Sequence, residues 1–282
     1  MLERLVFKGG TIVDGSGGPE FESDVIIEGD QIVSIGKAAE YGQDKVIDIS
    51  GMVLSPGFVD IHSHSDYYLL IDSLAHSKVR QGVTTELGGN CGYSAAPIGG
   101  AILEDRKKGY KEQFALAHEW RYLSEYFYKL RKGGISLNYA HLIGANTIRG
   151  SVMGYDNRKP DKEELHKMRG LINQGLDDGA FGISFGMVYV PVCYADREEL
   201  VILSKAAFEK GGIITTHIRS EGRALLEAIE EVISIARDSG AQLQISHLKT
   251  MGEENWGKID RVFSMIEDAI CEGVQITCDR YP

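Results

Sequence analysis

The stretch Val53-Leu54-Ser55-Pro56-Gly57-Phe58-Val59-Asp60-Ile61-His62-Ser63-His64 decides the fold. Residues 53–61 read as a buried β-strand, and its end carries two imidazoles separated by one residue. Residues i and i+2 of a strand point to one face, so His62 and His64 can converge on a single metal ion. A solvated strand end gains nothing from such a pair. A buried one would have to satisfy four ring nitrogens, and imidazole is the commonest metal ligand.

Outward from this strand the chain repeats a pattern of strand, loop and helix. The candidate strands are 53–61, 83–88, 135–143, 180–185, 212–217, 242–248 and 273–278. Between them lie helical periods. In 161–178 the apolar positions are Leu165, Met168, Leu171, Ile172 and Leu176. In 222–238 they are Leu225, Leu226, Ile229, Val232, Ile233 and Ala236, with Gly240 placed as a C-cap. A further helix over 197–210 is stopped by Gly211-Gly212. Alternating strands and helices imply a parallel sheet with right-handed crossovers, and eight such units close an α/β fold of the (β/α)8 TIM type. Seven of the eight strands are present. Residues 1–52 differ: Leu5–Gly9, Thr11–Val13, Val25–Glu28, Gln31–Ile35 and Lys45–Ile49 are β-rich and separated by turn signals such as Gly15-Ser16-Gly17-Gly18. The expected division is therefore a small β unit over 1–52 and a barrel over 53–282. Residues 99–130, rich in charges and aromatics, read either as an insertion near the barrel mouth or as an ordinary amphipathic helix pair.

Composition narrows the class. The 282 residues are 43% hydrophobic and 25% charged, enough to bury a sizeable core. A net charge of −11 with no basic run argues against a nucleic-acid partner. No apolar stretch reaches membrane-spanning length, and Met1–Phe7 has no leader pattern, so neither a membrane nor secretion is expected. Four cysteines, Cys91, Cys193, Cys271 and Cys278, do not suggest a disulfide scaffold in a chain this long. A cytoplasmic protein with reduced thiols is expected.

The remaining ligand-type residues also fall at strand ends. Cys91 lies in the loop after strand two, His217 ends strand five and His247 ends strand six. In a barrel these ends face one mouth, where active sites sit. Three histidines and a cysteine complete one zinc site, and four histidines with a bridging thiolate suit two. Taken singly, His217 or His247 is a hydrogen-bonded core histidine and Cys91 a small buried hydrophobe. Taken together they indicate a metal centre.

The same residues carry a family resemblance. Gly57-Phe58-Val59-Asp60-Ile61-His62-Ser63-His64 resembles the first strand of the amidohydrolase superfamily. Gln81-Gly82-Val83-Thr84-Thr85 followed by Gly89-Asn90-Cys91-Gly92 resembles one branch of it, the N-acyl-D-amino-acid deacylases, or D-aminoacylases. The likeness continues through Thr216-His217-Ile218-Arg219-Ser220-Glu221-Gly222, Ile245-Ser246-His247-Leu248-Lys249 and Asp279-Arg280-Tyr281-Pro282. It implies a Zn²⁺ held tightly by His217, His247 and Cys91, and a second, weaker position formed by His62 and His64 with Cys91. It implies hydrolysis of small-molecule N-acyl-D-amino acids to a carboxylate and a free D-amino acid, with Lys249 and Tyr281 gripping the substrate carboxylate. It also implies that residues 1–52 are the N-terminal part of a β-sandwich. Hydantoinases and dihydroorotases, the cyclic-amide alternative, share the His-x-His strand but bridge two metals with a carboxylated lysine on strand four. Here Phe181-Gly182-Ile183-Ser184-Phe185-Gly186 has no lysine.

The chain departs from the family pattern at two positions. The aspartate that ends strand eight in the family, and serves as general base and then acid, has no counterpart here. Asp66 and Asp279 are candidates for residues that back the ligands, not for the base. Ala145 stands where family members often have histidine. A seven-stranded barrel exposes two strand edges. It would be completed by further sequence of a longer polypeptide, by a second chain, or by self-association. An inactive metal-binding fragment that needs a partner chain is the non-enzymatic alternative. Met187, Val188, Tyr189 and Val190 offer an apolar lining for the pocket.

Overall fold

The computed structural model describes residues 4–37 and 44–281. The chain divides into two units, Met1–Phe58 and Val59–Pro282. The first holds β1 (Arg4–Ile12), β2 (Phe21–Glu28), β3 (Gln31–Ile35), β4 (Lys45–Asp48) and β5 (Val53–Leu54) in the order β3-β2-β1-β4, with β5 also paired to β1. Leu5–Gly9 and Thr11–Val13, expected as separate strands, are one strand whose pairing with β2 shifts between Phe7 and Gly10.

The second unit carries a seven-stranded sheet in chain order. Its strands are β6 (Phe58–Asp60), β7 (Val83–Gly88), β8 (Asn138–Gly144), β9 (Gly182–Gly186), β10 (Ile213–His217), β11 (Leu243–Ile245) and β12 (Ile276–Cys278). From β7 to β12 every neighbouring pair is parallel. Sequence neighbours are thus spatial neighbours, as repeated βα crossovers require. This is seven strands of a TIM-type barrel. Two single turns, α1 (Tyr68–Ile71) and α2 (His76–Val79), follow β6. The helix pair α3 (Gly100–Phe114) and α4 (Leu123–Gly133) fills the 99–130 excursion. Then come α5 (Ala145–Met153), α6 (Lys162–Asp177), α7 (Arg197–Glu209), α8 (Leu225–Ser239) and α9 (Ile259–Cys271).

The core lies where the helices cover the strands. Ile143, Ile183, Ile214 and Leu243 from the sheet meet Met168, Ile172, Leu203, Ile229 and Val262 from the helices, all buried. Each such side chain removed from water contributes about 1.5–3 kcal/mol. Local signals set the helix ends. The Asp161 carboxylate accepts from Glu164 N–H at 2.8 Å while Glu164 accepts from Asp161 N–H at 2.9 Å, a capping box that starts α6. Asp196 accepts from Glu199 N–H at 3.0 Å and starts α7. Gly240, at φ +76°, ends α8 in the left-handed conformation that glycine adopts without strain.

The first strand requires a correction. Residues 53–61 are not one buried strand: Val53–Leu54 pairs with β1, and Phe58–Asp60 forms the margin of the parallel sheet. Pro56 has no N–H and a fixed φ, so a ladder cannot run through it. Phe58 and Val59 are each 60% exposed, because β6 has a strand on one side only. No helix of the described residues is long and apolar enough to cross a membrane. All four cysteines are free.

Candidate metal centre

The loop after β7, Gly88-Gly89-Asn90-Cys91-Gly92, places the thiol. A Cβ on Gly89 would lie 2.0 Å from the Leu142 carbonyl oxygen, and one on Gly92 would lie 1.8 Å from Asn146 Oδ1. Both glycines also have positive φ, +76° and +82°. Only glycine lets the loop lie this close to β8 and α5. The Ser184 hydroxyl on β9 donates to Gly89 C=O and accepts from Gly92 N–H. Asp66 accepts from Gly89 N–H at 2.9 Å and from Ala95 N–H at 3.1 Å. Cys91, itself at φ +52°, is buried at the centre of this clamp.

Two imidazoles close on the thiol. His62 Nε2 lies 3.3 Å and His247 Nε2 3.6 Å from Cys91 Sγ. Zinc with bonds of about 2.3 Å to sulfur and about 2.0 Å to nitrogen, at a tetrahedral angle, sets a ligand-to-ligand edge of about 3.5 Å. The donors therefore fit a metal of that kind. Two groups of donor atoms lie within 4.8 Å of one another, His62–Cys91–His247 and His217–Glu221–His247, and they share His247. The His217 and His247 rings meet edge to face at 4.4 Å. His64 belongs to neither group: it is exposed, with its ring centroid 5.4 Å from that of His62. The backbone is no longer extended past β6, and Ser63 turns inward to hydrogen-bond Glu86, so the alternation assumed for a strand end does not carry through.

Carboxylates back both imidazoles. Glu221 Oε1 is 2.9 Å from His247 Nδ1, and the Lys249 ammonium donates to the same oxygen. Asp279 Oδ1 accepts from His247 N–H at 2.7 Å and stands 3.2 Å from His62 Nδ1, in ion-pair range but poorly aligned for N–H donation. Gln244 Nε2 holds the other Asp279 oxygen at 2.9 Å. Such carboxylate–histidine pairs fix which ring nitrogen faces a metal. Burial raises the Cys91 thiol to about 12, and Asp279 and Glu221 add to it. Burial also works against ionised Glu221, but hydrogen bonds from His247 and Lys249 outweigh it and hold the carboxyl at about 2. Asp279 is held low in the same way, its burial outweighed by His62, Gln244 and His247. Burial, then His247, pulls His217 down to about 4. Two carboxylates and a thiol around neutral imidazoles suit a divalent cation, which would make up the charge and draw off the thiol proton.

Lys249 Nζ lies 5.4 Å from the Tyr281 ring, so the two expected substrate-gripping residues stand together. Tyr281 is exposed, whereas Lys249 is engaged with Glu221 and with His247 C=O at 3.1 Å. Glu221 is the residue that sequence reasoning quoted without giving it a role; its signal is an acid four residues after His217. Ala145, the position of the missing histidine, is buried at the start of α5. Its neighbour Asn146 accepts from Gly186 N–H at 3.0 Å and donates to Tyr189 C=O at 3.0 Å. Of the expected apolar lining, Met187 is buried, Val188, Tyr189 and Val190 are exposed, and the Tyr189 ring lies 4.8 Å from His217.

Sheet and donor cluster together define an amidohydrolase-type barrel mouth. No family model matches the chain. It is 36% identical over 99% of its length to a D-aminoacylase and 34% identical to an N-acyl-D-glutamate deacylase, both of Alcaligenes xylosoxydans xylosoxydans. It superposes on a solved D-aminoacylase with a TM-score of 0.90 at 33% identity over 100% of the chain. The Bordetella bronchiseptica N-acyl-D-glutamate deacylase, solved with zinc and a phosphonate mimic of the tetrahedral intermediate, gives 0.88 at 32% identity. An L-hydantoinase shares the fold at a TM-score of 0.61 and 16% identity. Over essentially its whole length the chain is similar to the N-acyl-D-amino-acid deacylases of the amidohydrolase superfamily. It spans 57% and 56% of the two Alcaligenes relatives and 59% and 58% of the two solved deacylases.

Proposed function

We propose that this chain carries the metal centre of a zinc-dependent hydrolase of N-acyl-D-amino acids. The observation behind the reading is the meeting of His62 Nε2, Cys91 Sγ and His247 Nε2 at tetrahedral-edge spacing, each imidazole backed by a carboxylate. The names of the relatives, D-aminoacylase and N-acyl-D-glutamate deacylase, supply the substrate class.

In this reading Cys91, His217 and His247 would hold one zinc, and His62 with Cys91 would form a weaker second position, which His64 joins only by turning its exposed ring inward. A zinc held there would supply Lewis-acid polarisation of the scissile carbonyl and activation of water near neutral pH. The protein's own groups do the rest. Glu221, 2.9 Å from His247 Nδ1, and the Lys249 ammonium, 3.1 Å from the same nitrogen, occupy that side of the ring and so leave Nε2 facing the centre. Asp279 orients His62 and pins the backbone of His247. Lys249 and Tyr281 donate to the substrate α-carboxylate, as an ammonium and a phenol can. Asp279 and Glu221 are both spent on histidines, so neither is assigned as general base.

The test is amino-acid release from N-acetyl-D-methionine, N-acetyl-L-methionine and dihydrouracil by the zinc-loaded chain, with bound metal measured alongside. Release from the D substrate alone is expected. Ring opening of dihydrouracil would favour the cyclic-amide alternative. Stoichiometric zinc with no turnover of any substrate would favour the inactive, partner-dependent fragment.

A further inference from the structure

Beside His64 a cavity of about 290 Å³ is lined by His64, Asp66, Tyr67, Tyr93 and Arg106. Arg106, on α3, is the cation in it. Its Nη1 donates to Tyr67 Oη at 2.8 Å and to Tyr110 Oη at 2.5 Å. The guanidinium carbon lies 5.5, 5.4 and 5.7 Å from the ring centroids of Tyr67, Tyr93 and Tyr110, so aromatic walls surround it. No carboxylate is within hydrogen-bond or ion-pair distance of it among the described residues. Asp66, the acid in the same cavity, is spent on Gly89 N–H, Ala95 N–H and the Tyr139 hydroxyl. Asp105, next in the chain, accepts from Tyr155 Oη at 2.6 Å.

This is an unusual placement for an arginine. A half-buried guanidinium normally has a carboxylate, because desolvating an unpaired charge is costly. Here Nη1 alone serves the structure, tying α3 to the segment after β6. Nε and Nη2 have no protein partner among the described residues, and their planar fork matches a carboxylate. The position matters too. The cavity opens at His64, after β6, whereas Lys249 and Tyr281 follow β11 and β12. The His64 ring lies 5.4 Å from that of His62, which lies 5.1 Å from that of His247, so a substrate whose α-carboxylate is held by Lys249 and Tyr281 would cross the ligand cluster toward Arg106.

We propose that Arg106, walled by Tyr67 and Tyr93, is a specificity site for a second carboxylate of the substrate, distinct from its α-carboxylate. The inference rests on the deacylase reading above. That carboxylate has two chemical sources: the side chain of an acidic D-amino acid, or the far end of a dicarboxylic acyl group.

Calorimetric titration of the 282-residue chain, stripped of metal with a chelator so that no ligand is hydrolysed, separates the cases. The ligands are N-acetyl-D-glutamate against N-acetyl-D-glutamine, N-succinyl-D-leucine against N-acetyl-D-leucine, and glutarate alone. The proteins are the unaltered chain, Arg106→Gln and Arg106→Lys, with melting curves to confirm folding. At least one dianionic ligand is expected to bind more tightly than its neutral counterpart. Arg106→Gln should weaken that ligand about 10- to 100-fold, leave the neutral one unchanged, and be partly rescued by Arg106→Lys. The pair that responds names the source of the carboxylate. Equal loss for neutral and anionic ligands would make Arg106 a structural clamp and overturn the site, as would the absence of any preference for the dianions. Glutarate binding that depends on Arg106, with no N-acetyl ligand bound, would overturn the deacylase reading and keep an anion site. No binding by any ligand would overturn both.

Discussion

The interior and the margins of the parallel sheet hold their ligands in different ways. Every residue of β9 is buried, and Ile143, Ile183 and Leu243 are closed off by α6, α7 and α8. Cys91, His217 and His247 end or closely follow the interior strands β7, β10 and β11, which have a neighbouring strand on each side. His62 and Asp279 issue from β6 and β12, each paired on one side only. They are located by contacts to Cys91, to His247 and to each other. An interior ligand is therefore over-determined, and a marginal one depends on the centre it helps to build. The largest expected effect breaks the interior. Cys91→Ala should abolish stoichiometric zinc after dialysis, a larger loss than the roughly 10–100-fold that removal of an orienting partner costs. Cys193, Cys271 and Cys278 to Ala should leave it unchanged. His62→Ala should retain one equivalent. Metal content that survives in Cys91→Ala would rule out the thiolate.

Packing offers the next test of the same contrast. Leu243→Ala should cost about 2–5 kcal/mol in denaturant unfolding, because α8 and α9 cannot collapse into the space left. Val59→Ala, on the bare margin, should cost under about 0.5 kcal/mol. A large cost for Val59→Ala would mean that β6 is covered in solution. Gel filtration of the same sample would then show whether a second copy of the chain is what covers it.

Much of this was legible in the sequence, for physical reasons. Strand and helix alternation survived because burial imposes its period on every βα unit. The glycines around Cys91 were readable as a motif, and the 2.0 and 1.8 Å approaches at Gly89 and Gly92 explain why no other residue serves there. The margin was not legible. Phe58 and Val59 are as apolar as core residues, and nothing local says that a neighbouring strand is missing. His64 was placed by a period-two rule that holds only while the backbone stays extended. Glu221 and Arg106 were invisible as functional groups because their partners, His247 and the tyrosines at 67, 93 and 110, are brought together only by the fold.

The orienting carboxylates sharpen the comparison at a finer level. Glu221→Gln removes the charge behind His247, an interior ligand. Asp279→Asn removes the one behind His62 and weakens the pin on the His247 backbone. Competition with a chelator should show zinc affinity lowered about 10–100-fold in Glu221→Gln, and by less in Asp279→Asn. The reverse order would mean that the marginal imidazole, not the interior one, governs retention.

A titration effect lies in the aromatic layer of α3 and α4, away from the bare margins. His118 is stacked on Trp120 at 3.9 Å, and its Nε2 donates to Trp120 C=O at 2.9 Å. Nδ1 is buried without a partner, so protonation would add an N–H with nothing to receive it. Burial accordingly holds the ring down at about 4, below its ordinary 6.5. Between those values the unfolded chain binds the proton and the folded chain does not. The contribution is then complete above about pH 6.5, falls as pH drops, and is gone below about pH 4. The structure can relax around a charged ring, so the loss is on the order of 1 kcal/mol. His118→Phe keeps a ring in the stack but removes both the titration and the hydrogen bond. It should melt lower than the unaltered chain at pH 7 and lose less on going to pH 4.5. Other carboxylates titrate over the same range in both proteins, so the difference between the two slopes reports His118. Equal slopes would mean that the ring reaches water in the folded protein and that the aromatic layer is looser than its packing implies.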